Sequence, residues 1–357
     1  MVKIPFRVLP KRSLGVDVGT WAIRIVELSE WKGRIRLENY GEIKTLLLSE
    51  KPFKMFKRSA LLLPAQRTGE SLKELLKKAG VKSKGVSFSI PDFSTFFTAI
   101  EFPSMGKKEL EDAVRYEARR HVPLPLSEVV LDWQLINRKV PPEKKEKEGK
   151  VRVLLVAVPR EVIGQYQGAA EAAQLELFSL EAEVFSLIRA LRGDLVKISA
   201  LIEIGAQSTT VSIIEGEELK TTHSFDVSGN ELTQTLSRSL EIGYEEAEVL
   251  KKIKGIKSEG SVKEVLMPLI DLILTEIKRV LGNFTKEEER KVEKLILAGG
   301  TALLPGLKEY FSKQLGKEVI IANPFKEFFY PAILEETLKE IGPTFAIATG
   351  IAKRALE

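Results

Sequence analysis

A short stretch near the start of the sequence combines an acidic residue with a tight turn. Asp17 lies near the end of the apolar, β-branched run Leu14–Val18 and is followed by Gly19 and Thr20. Burial of a carboxylate costs several kcal/mol unless it gains a partner, so an acid at this position needs an explanation. Backbone N–H groups and a hydroxyl in such a turn can bind phosphate oxygens, and a nearby carboxylate can hold hydrated Mg²⁺. The stretch predicts either a phosphate site or an ordinary hairpin whose Asp17 caps its own turn.

The same layout occurs again in the middle of the chain. Glu203 lies in an apolar strand, Gly205 follows it, and small hydroxyl residues that include Thr209 lead into a second strand. A third turn, Gly299-Gly300-Thr301, follows another apolar strand, and a helix opens near Pro305 with its N–H groups free. One Asp-x-Gly-Thr motif is short and common, whereas the order and spacing of all three turns are far more specific. The repetition favours a phosphate-binding cleft.

Composition narrows the classes of function. The chain has 357 residues, enough for two domains with their own cores, and its formal net charge of +5 is too small and too dispersed to indicate nucleic acid as a partner. With no cysteine, disulfides, zinc–thiolate sites and cysteine nucleophiles are excluded, and two histidines are too few for a histidine metal site. There is no run of about 18 uncharged apolar residues, and Met1–Ser13 lacks the apolar core of a signal peptide. We therefore expect a cytoplasmic protein.

Hydrophobic periodicity around the turns predicts an α/β fold with two domains, each containing a sheet. Within the first domain, residues 92–174 are predicted to form a small inserted α/β unit. It contains the helix Lys107–His121, which the proline-containing turn Val122–Leu126 ends. The chain then returns through a strand to the helix Glu181–Arg192. A last helix, Pro343–Leu356, carries small residues on one face, which suits close packing.

The two acidic hairpins and the Gly-Gly turn resemble the nucleotide-binding fold shared by actin, the Hsp70 chaperones and sugar kinases. The hairpins are similar to its two phosphate loops, and the Gly-Gly turn is similar to its adenosine loop. The stretch Arg115–Trp133 closely resembles the hallmark segment of the PilM family, cytoplasmic actin-like proteins of type IV pilus assembly. In that family an acidic and aromatic helix ends in an Ile/Val-Pro-Phe/Leu-Pro turn and runs into a Val-Val-Leu-Asp-aromatic strand. The resemblance extends from the first hairpin to Gly350-Ile351-Ala352.

This resemblance implies an actin-like ATPase fold with the inserted subdomain 1C that PilM shares with the cell-division protein FtsA. Subdomain 1A is then expected at residues 1–91, 175–194 and 341–357, subdomain 1C at 92–174, and domain 2 at 195–340, with 2B at about 226–290. The cofactors expected are ATP and Mg²⁺. The residues implied in nucleotide binding are Asp17, Gly19, Thr20, Arg24, Gly205, Thr209, Glu248, Lys251, Gly299, Gly300 and Thr301, and those implied in Mg²⁺ binding are Asp17 and Glu203.

Two of these assignments have plain structural alternatives. Arg24 stands where actin places a phosphate-contacting lysine, yet it also fits a solvated strand position. Glu248 and Lys251 match the Glu-x-x-Lys pair that holds ribose and base in Hsp70 and bacterial actins, yet they also fit a surface ion pair one helical turn apart.

The resemblance places a residue that positions the attacking water at the start of the helix Glu181–Arg192. Glu181 and Glu183 are the catalytic candidates, together with Glu203, although a helix N-terminus also favours acids for its own stability. The second loop departs from the family pattern, because Glu203 stands where aspartate is usual. One extra methylene shifts the water shell of the metal by about an ångström, and such a misplacement can cost on the order of 10²-fold in rate. We expect ATP binding with weak or no ATPase activity.

The implied function is that of an ATP-binding scaffold of the pilus assembly complex, peripheral at the inner membrane through its partners. Partners implied are the N-terminal cytoplasmic peptide of PilN, with PilO in the same complex, the pilus motor ATPases and further copies of the chain. Alternatives are an FtsA-like filament protein, the actin-like component of a type II secretion system, and an active ATPase or kinase. A groove for the peptide is expected between 1A and 1C. It would be lined by Val114, Ala118 and His121 and by the turn Val122–Leu126, with Arg119 and Arg120 at its rim.

Overall fold

The computed structural model describes residues 12–31, 33–45, 63–136, 150–257 and 259–357. The prediction for Met1–Ser13 therefore falls outside the described residues except at its last two positions. Thirteen strands run as follows: β1 (Arg12–Val18), β2 (Ala22–Trp31), β3 (Arg34–Lys44), β4 (Gly85–Ile90), β5 (Phe96–Pro103), β6 (Val129–Ile136), β7 (Lys150–Pro159), β8 (Glu176–Ala182), β9 (Ile198–Ile204), β10 (Thr209–Glu215), β11 (Glu218–Phe225), β12 (Lys294–Ala298) and β13 (Glu318–Ile321). Nine α-helices are found in the same ranges: α1 (Ala65–Ala79), α2 (Lys107–His121), α3 (Arg160–Ala172), α4 (Glu183–Ala190), α5 (Gly229–Leu240), α6 (Tyr244–Lys254), α7 (Ser261–Glu288), α8 (Leu307–Leu315) and α9 (Glu335–Arg354).

Two five-stranded sheets repeat one topology. The first has the order β3-β2-β1-β4-β8, and the second has the matching order β11-β10-β9-β12-β13. In each sheet a central strand pairs antiparallel with the next strand along the chain and parallel with a later one. The predicted duplication is confirmed, and the acidic residue of each hairpin lies at or beside the carboxyl end of its central strand.

Each sheet is covered by helices because its strands are apolar on both faces. Leu14 and Val16 of β1 pack with α1 and α3, whereas Gly15 faces α9. In the second domain the long helix α7 packs on one face of the sheet, and α4 joins the hydrophobic cluster on the other face. None of the helices in the described ranges is long and apolar enough to cross a membrane.

The helices α4 and α9 cross with their backbones in contact. A Cβ on Gly350 would lie 1.8 Å from the carbonyl oxygen of Ser186, so this crossing requires glycine. The helix α9 also begins earlier than predicted, at Glu335 and not at Pro343. Proline removes one backbone donor, yet the helix continues through it, and the Thr344 hydroxyl donates to the Ile341 carbonyl at 2.7 Å in the same turn.

The inserted unit is a three-stranded antiparallel sheet of order β5-β7-β6, with α2 packed on one face. Helix α3 lies within the predicted insertion, residues 92–174, and packs outside its sheet. Val162, Tyr166 and Ala170 of α3 lie in the core of the first domain beside α1 and β4, where they help to cover the first sheet. The boundary of the insertion at residue 174 stays a prediction.

The outer edge of the first sheet is partly covered by a later segment. The Phe329 backbone N–H donates to the carbonyl of Ile35 at 2.9 Å, and its carbonyl accepts from the N–H of Leu37 at 3.0 Å. These two bonds add a short bridge beside β3.

Candidate nucleotide-binding cleft

A cleft of about 690 Å³ lies between the two domains, where both acidic hairpins and the Gly-Gly turn meet. Twelve predicted residues line it: Asp17, Gly19, Thr20, Arg24, Glu183, Glu203, Gly205, Glu248, Lys251, Gly299, Gly300 and Thr301. The duplicated fold therefore brings the three turns, which lie far apart along the chain, together at one site.

Asp17 is held at the floor of the cleft by neighbours in the first domain. Its Oδ1 accepts a hydrogen bond from Ser89 Oγ at 3.1 Å, and its Oδ2 lies 3.8 Å from Arg24 Nη1. Arg24 also donates to Glu42 Oε2 at 2.7 Å, and only 12% of its side chain is exposed. Arg24 is thus a cleft residue and not a solvated strand position, and its charge is directed at the space beside Asp17.

Four carboxylates from four separate parts of the chain lie close together at or beside the cleft: Asp17, Asp92, Glu183 and Glu203. Desolvation raises the pKa of Glu203 to about 8, with repulsion from Asp17 and Asp92 adding to the effect and Arg24 opposing it. Desolvation also raises the pKa of Asp92 to about 7, raises that of Asp17 and raises that of Glu183 well above its usual range. Crowded acids with raised pKa values are an environment that a cation stabilises.

Mg²⁺ fits this donor set. It is usually held by one or two carboxylates, with water and phosphate oxygens completing the octahedron. Among the described residues no group of three or more acidic, histidine or cysteine side chains is arranged to hold a metal by itself. Asp17 and Glu203 approach the cleft from opposite domains, and their carboxylates could hold Mg²⁺ there.

The opposite side of the cleft carries a buried lysine in domain 2. Lys251 Nζ donates to the Gly229 carbonyl at 2.9 Å and to Thr233 Oγ1 at 2.7 Å, and lies 2.7 Å from Glu248 Oε2. Only 6% of the lysine side chain is exposed, which excludes the alternative of a surface pair. Desolvation lowers the pKa of Lys251, while Glu248 opposes that shift. A fixed cation and carboxylate of this kind can bind the hydroxyls of a ribose.

The Gly-Gly turn closes the cleft between these two regions. Gly299 has φ +85°, and a Cβ there would lie 2.5 Å from the Ile204 carbonyl oxygen and 2.6 Å from Glu203 Oε1. Gly300 differs, because a Cβ on it would meet only Thr344 Cγ2 at 3.9 Å. The first glycine lets two loops approach each other, and the second leaves open surface on which a flat base can lie.

Two predicted residues do not reach the cleft. The Thr209 hydroxyl donates to the Val227 carbonyl at 2.7 Å, and Ser208 lines the cleft in its place. Glu181 was predicted at the start of a helix, but β8 continues to Ala182 and α4 begins at Glu183. The Glu181 carboxylate is bound by Arg189 at 2.6 Å and by Arg354, so it ties the two crossing helices together. Of the two candidates for positioning water, the structure leaves Glu183.

Sequence patterns did not predict several residues in or beside the cleft. Asp92 lies beside the cleft, between the lining residues Pro91 and Phe93, and follows the buried strand β4. It therefore carried the same signal as Asp17, an acid at the end of an apolar strand. Glu42, by contrast, lies on a strand with alternating polar residues and carried no signal. Lys252 lies 5.3 Å from the centre of the Trp21 ring, a contact between domains that no local pattern could indicate.

The predicted lining of the peptide groove is partly wrong. The residues concerned lie in the inserted unit, the β5-β7-β6 sheet with α2, which is called subdomain 1C below. Val114 and Ala118 are buried against that sheet and do not face solvent, because they form the apolar face on which α2 packs. His121, Pro123 and Pro125 are exposed, and Leu124 is half-buried. The surface left for a partner is the end of α2 and the turn after it.

The family of this chain is identified by comparison with known proteins. The family model of the type IV pilus assembly protein PilM matches residues 15–356, nearly the whole chain. The chain belongs to the PilM family. A chain of a solved PilM–PilN type IV pilus biogenesis complex is 26% identical, with a TM-score of 0.84 and coverage of 97% of this chain and 98% of that one. The predicted PilM resemblance and the actin-like fold are confirmed.

The chain is also similar to FtsA and MreB proteins. The cell-division protein FtsA of Streptococcus pneumoniae is 25% identical over 198 residues, which cover 49% of this chain and 43% of FtsA. The chain thus matches less than half the length of that curated relative. MreB5 of Spiroplasma citri bound to AMPPNP has 12% identity and a TM-score of 0.52, covering 96% of this chain and 95% of that one, which is a likeness of fold alone.

Proposed function

We propose that this protein is an ATP- and Mg²⁺-binding scaffold of the type IV pilus assembly complex at the inner membrane, and that it binds the N-terminal cytoplasmic peptide of PilN. The supporting observation is the likeness over both full chains to a member of a PilM–PilN complex. An FtsA-like filament protein is less well supported, since the FtsA match covers 43% of that protein. On this proposal the chain is peripheral to the membrane through PilN, in a complex that also includes PilO, and contacts with the motor ATPases and with further copies of itself belong to the same proposal.

Nucleotide binding is supported by the charges of the cleft. Arg24 supplies a cation beside Asp17, and Lys251 supplies another on the domain 2 side. The carboxylates of Asp17 and Glu203 would supply oxygen ligands for Mg²⁺. When bound, Mg²⁺ neutralises phosphate charge. The chain itself contributes binding from both domains, so nucleotide holds the domains together.

Peptide binding is supported by the surface at the end of α2. Leu124 is half-buried between exposed Pro123 and Pro125, which fix the backbone of the turn. Arg119 and Arg120 are exposed beside it and can pair with carbonyl or acidic groups of a peptide. An extended peptide that places an apolar side chain against Leu124 and polar groups against the arginines fits this surface.

Calorimetric titration of the PilN N-terminal peptide tests the proposal. We expect binding to wild type and a loss of at least tenfold in affinity for Leu124→Glu and for Arg119→Glu/Arg120→Glu. The matched control is Leu272→Glu, which changes an exposed leucine on α7 of domain 2 and should leave affinity unchanged. Thermal melts of each variant separate a lost contact from a lost fold.

Two outcomes of the titration would contradict different parts of the proposal. Equal binding to all variants would place the groove elsewhere on the surface. Absence of binding to wild type, with and without Mg²⁺-ATP, would contradict the pilus assignment itself.

A further inference from the structure

Subdomain 1C is inserted in the first domain but packs against the second. Side chains of its central strand β7 alternate between two faces. Val153 and Leu155 point to α2, whereas Leu154 and Val156 lie in the hydrophobic cluster that contains α4 and residues of the second sheet such as Leu201. Arg152 is two residues before Leu154 along the strand, so its side chain lies on the same face, toward domain 2.

One contact of this face is with the helix that connects the two domains. The rings of Phe97 in β5 and Phe185 in α4 have centroids 6.3 Å apart. After α4 the chain passes through one short turn, Arg192–Asp194, into β9 of the second sheet. Subdomain 1C therefore rests on the point where the chain crosses between the domains.

A second contact reaches domain 2 directly. Arg152 Nη1 lies 2.9 Å from Glu288 Oε1, and each side chain is only 23% exposed. Glu288 is the last residue of α7, a helix of 28 residues whose buried face forms the core of domain 2 with the second sheet. A partly buried ion pair is screened less than an exposed one, and a packed core moves as a unit. The ion pair thus ties 1C to the rigid body of domain 2.

We infer that the Arg152–Glu288 ion pair couples nucleotide-dependent movement of domain 2 to subdomain 1C, so that the nucleotide regulates the partner surface at the end of α2. The inference rests on the proposed function, because it assumes that ATP binds in the cleft. When the cleft closes, 1C follows domain 2 through this pair and shifts against α1 in 1A. Coupling of this kind is reciprocal, so a ligand that fixes 1C also changes nucleotide affinity.

The absence of native cysteines allows a direct distance measurement. Lys77 on α1 and Asp112 on α2 are exposed, and spin labels on Lys77→Cys and Asp112→Cys report the distance between 1A and 1C. We expect Mg²⁺-ATP to shift this distance in the otherwise unchanged chain. Arg152→Glu should reduce the shift at least threefold, and the charge exchange Arg152→Glu/Glu288→Arg should restore it.

A matched control removes an ion pair that does not leave 1C. Lys150 and Glu101, 3.4 Å apart, pair within the same sheet, so Lys150→Glu should leave the shift unchanged. Arg152→Gln is the milder variant if Arg152→Glu unfolds. A full shift in Arg152→Glu and in Arg152→Gln would overturn the inference, as would no shift in the labelled wild type when titration shows ATP bound. Failure of ATP to bind in that titration would instead contradict the proposed function, and the inference with it.

Discussion

Asp92 and Glu183 are linked by a hydrogen bond, although they lie 91 residues apart. The Asp92 N–H donates to Glu183 Oε2 at 3.4 Å, and the N–H of Val184, in the first turn of α4, donates to Asp92 Oδ1 at 3.2 Å. The Glu183 carboxylate therefore accepts from the backbone of Asp92, while the Asp92 carboxylate caps the first turn of the helix that carries Glu183.

From this relationship we predict that Asp92→Ala slows single-turnover hydrolysis of ATP about tenfold and leaves ATP affinity within about twofold. The lost carboxylate holds the first turn of α4, which carries Glu183, and it does not line the cleft. Asp92→Asn keeps an oxygen for the Val184 N–H and should retain most of the rate. Rapid-quench measurement of both variants, with affinity measured separately, checks this. If Asp92→Ala hydrolyses ATP as fast as wild type, Glu183 does not need this support.

Steady-state ATP hydrolysis should be slow. Glu203 stands at the metal position with one methylene more than aspartate, and only Glu183 of the two predicted water-positioning acids reaches the cleft. We expect a turnover number far below roughly 10 s⁻¹, the median for enzymes. A coupled assay measures it, with Glu183→Gln as the background control. A rate near that median would contradict the prediction.

Asp17→Asn should weaken Mg²⁺-dependent ATP binding at least tenfold, or about 1.4 kcal/mol. Asparagine preserves the shape of the side chain and the hydrogen bond from Ser89, but it removes the charge that holds Mg²⁺. Fluorescent-nucleotide titration with Mg²⁺ and with EDTA should show that most of the loss depends on the metal. Asp112→Asn, at an exposed position of α2, is the control. A loss of the same size in EDTA would assign Asp17 a role other than metal binding.

Gly300→Leu should also weaken ATP binding at least tenfold, without a large loss of stability. A Cβ at this position meets nothing closer than 3.9 Å, so the side chain fits the protein but fills the surface left for the base. Gly299→Leu should instead destabilise the fold, because its backbone is left-handed and its Cβ would clash with Ile204. Melting curves and nucleotide titrations of the two variants separate these effects. Unchanged affinity of Gly300→Leu would place the base elsewhere.

Stability should depend on pH through Glu215. A bidentate hydrogen bond from Arg290, with help from Lys220, lowers the pKa of Glu215 to about 2. Because the folded-state pKa lies below the unfolded value of about 4.3, the stabilisation is present above that value and disappears as the pH falls toward 2. The pair is partly exposed, so its contribution is about 1 kcal/mol or less.

The urea midpoint of Arg290→Gln should therefore lie below that of wild type at pH 7, and the difference should shrink at pH 3.5. Lys278→Gln on α7 removes the same charge elsewhere and serves as the control. A difference that stays constant between the two pH values would show that Glu215 is not the group involved.

Much of the fold and the cleft follows from local signals. Asp17, Glu203 and Gly299 each stand at the end of an apolar strand, and the duplicated topology brings equivalent strand ends together. The sequence could therefore indicate one site from three separate turns. Arg24 and Lys251 were assigned through the family resemblance, and the structure shows both in the cleft.

The wrong predictions concern residues whose surroundings are set by contacts between distant segments of the chain. Val114 and Ala118 lie on the apolar face of α2, and periodicity cannot tell a face that covers its own sheet from one that receives a partner. Glu181 is acidic and precedes a helix, which looks like a catalytic position until Arg189 and Arg354 are found on it. The pairing of Asp92 with Glu183 links distant segments and leaves no local trace.

The first domain is completed by segments that lie far from its strands along the sequence. Gly15 in β1 is in van der Waals contact with the backbone of α9, Ser13 Oγ donates to the Ala352 carbonyl at 2.6 Å, and Phe329 covers the edge of β3. During synthesis the strands at the N-terminus leave the ribosome long before these partners. Until these partners are synthesised, the sheet that carries Asp17 has one apolar face and one edge uncovered. Such a state is prone to association with other nascent chains.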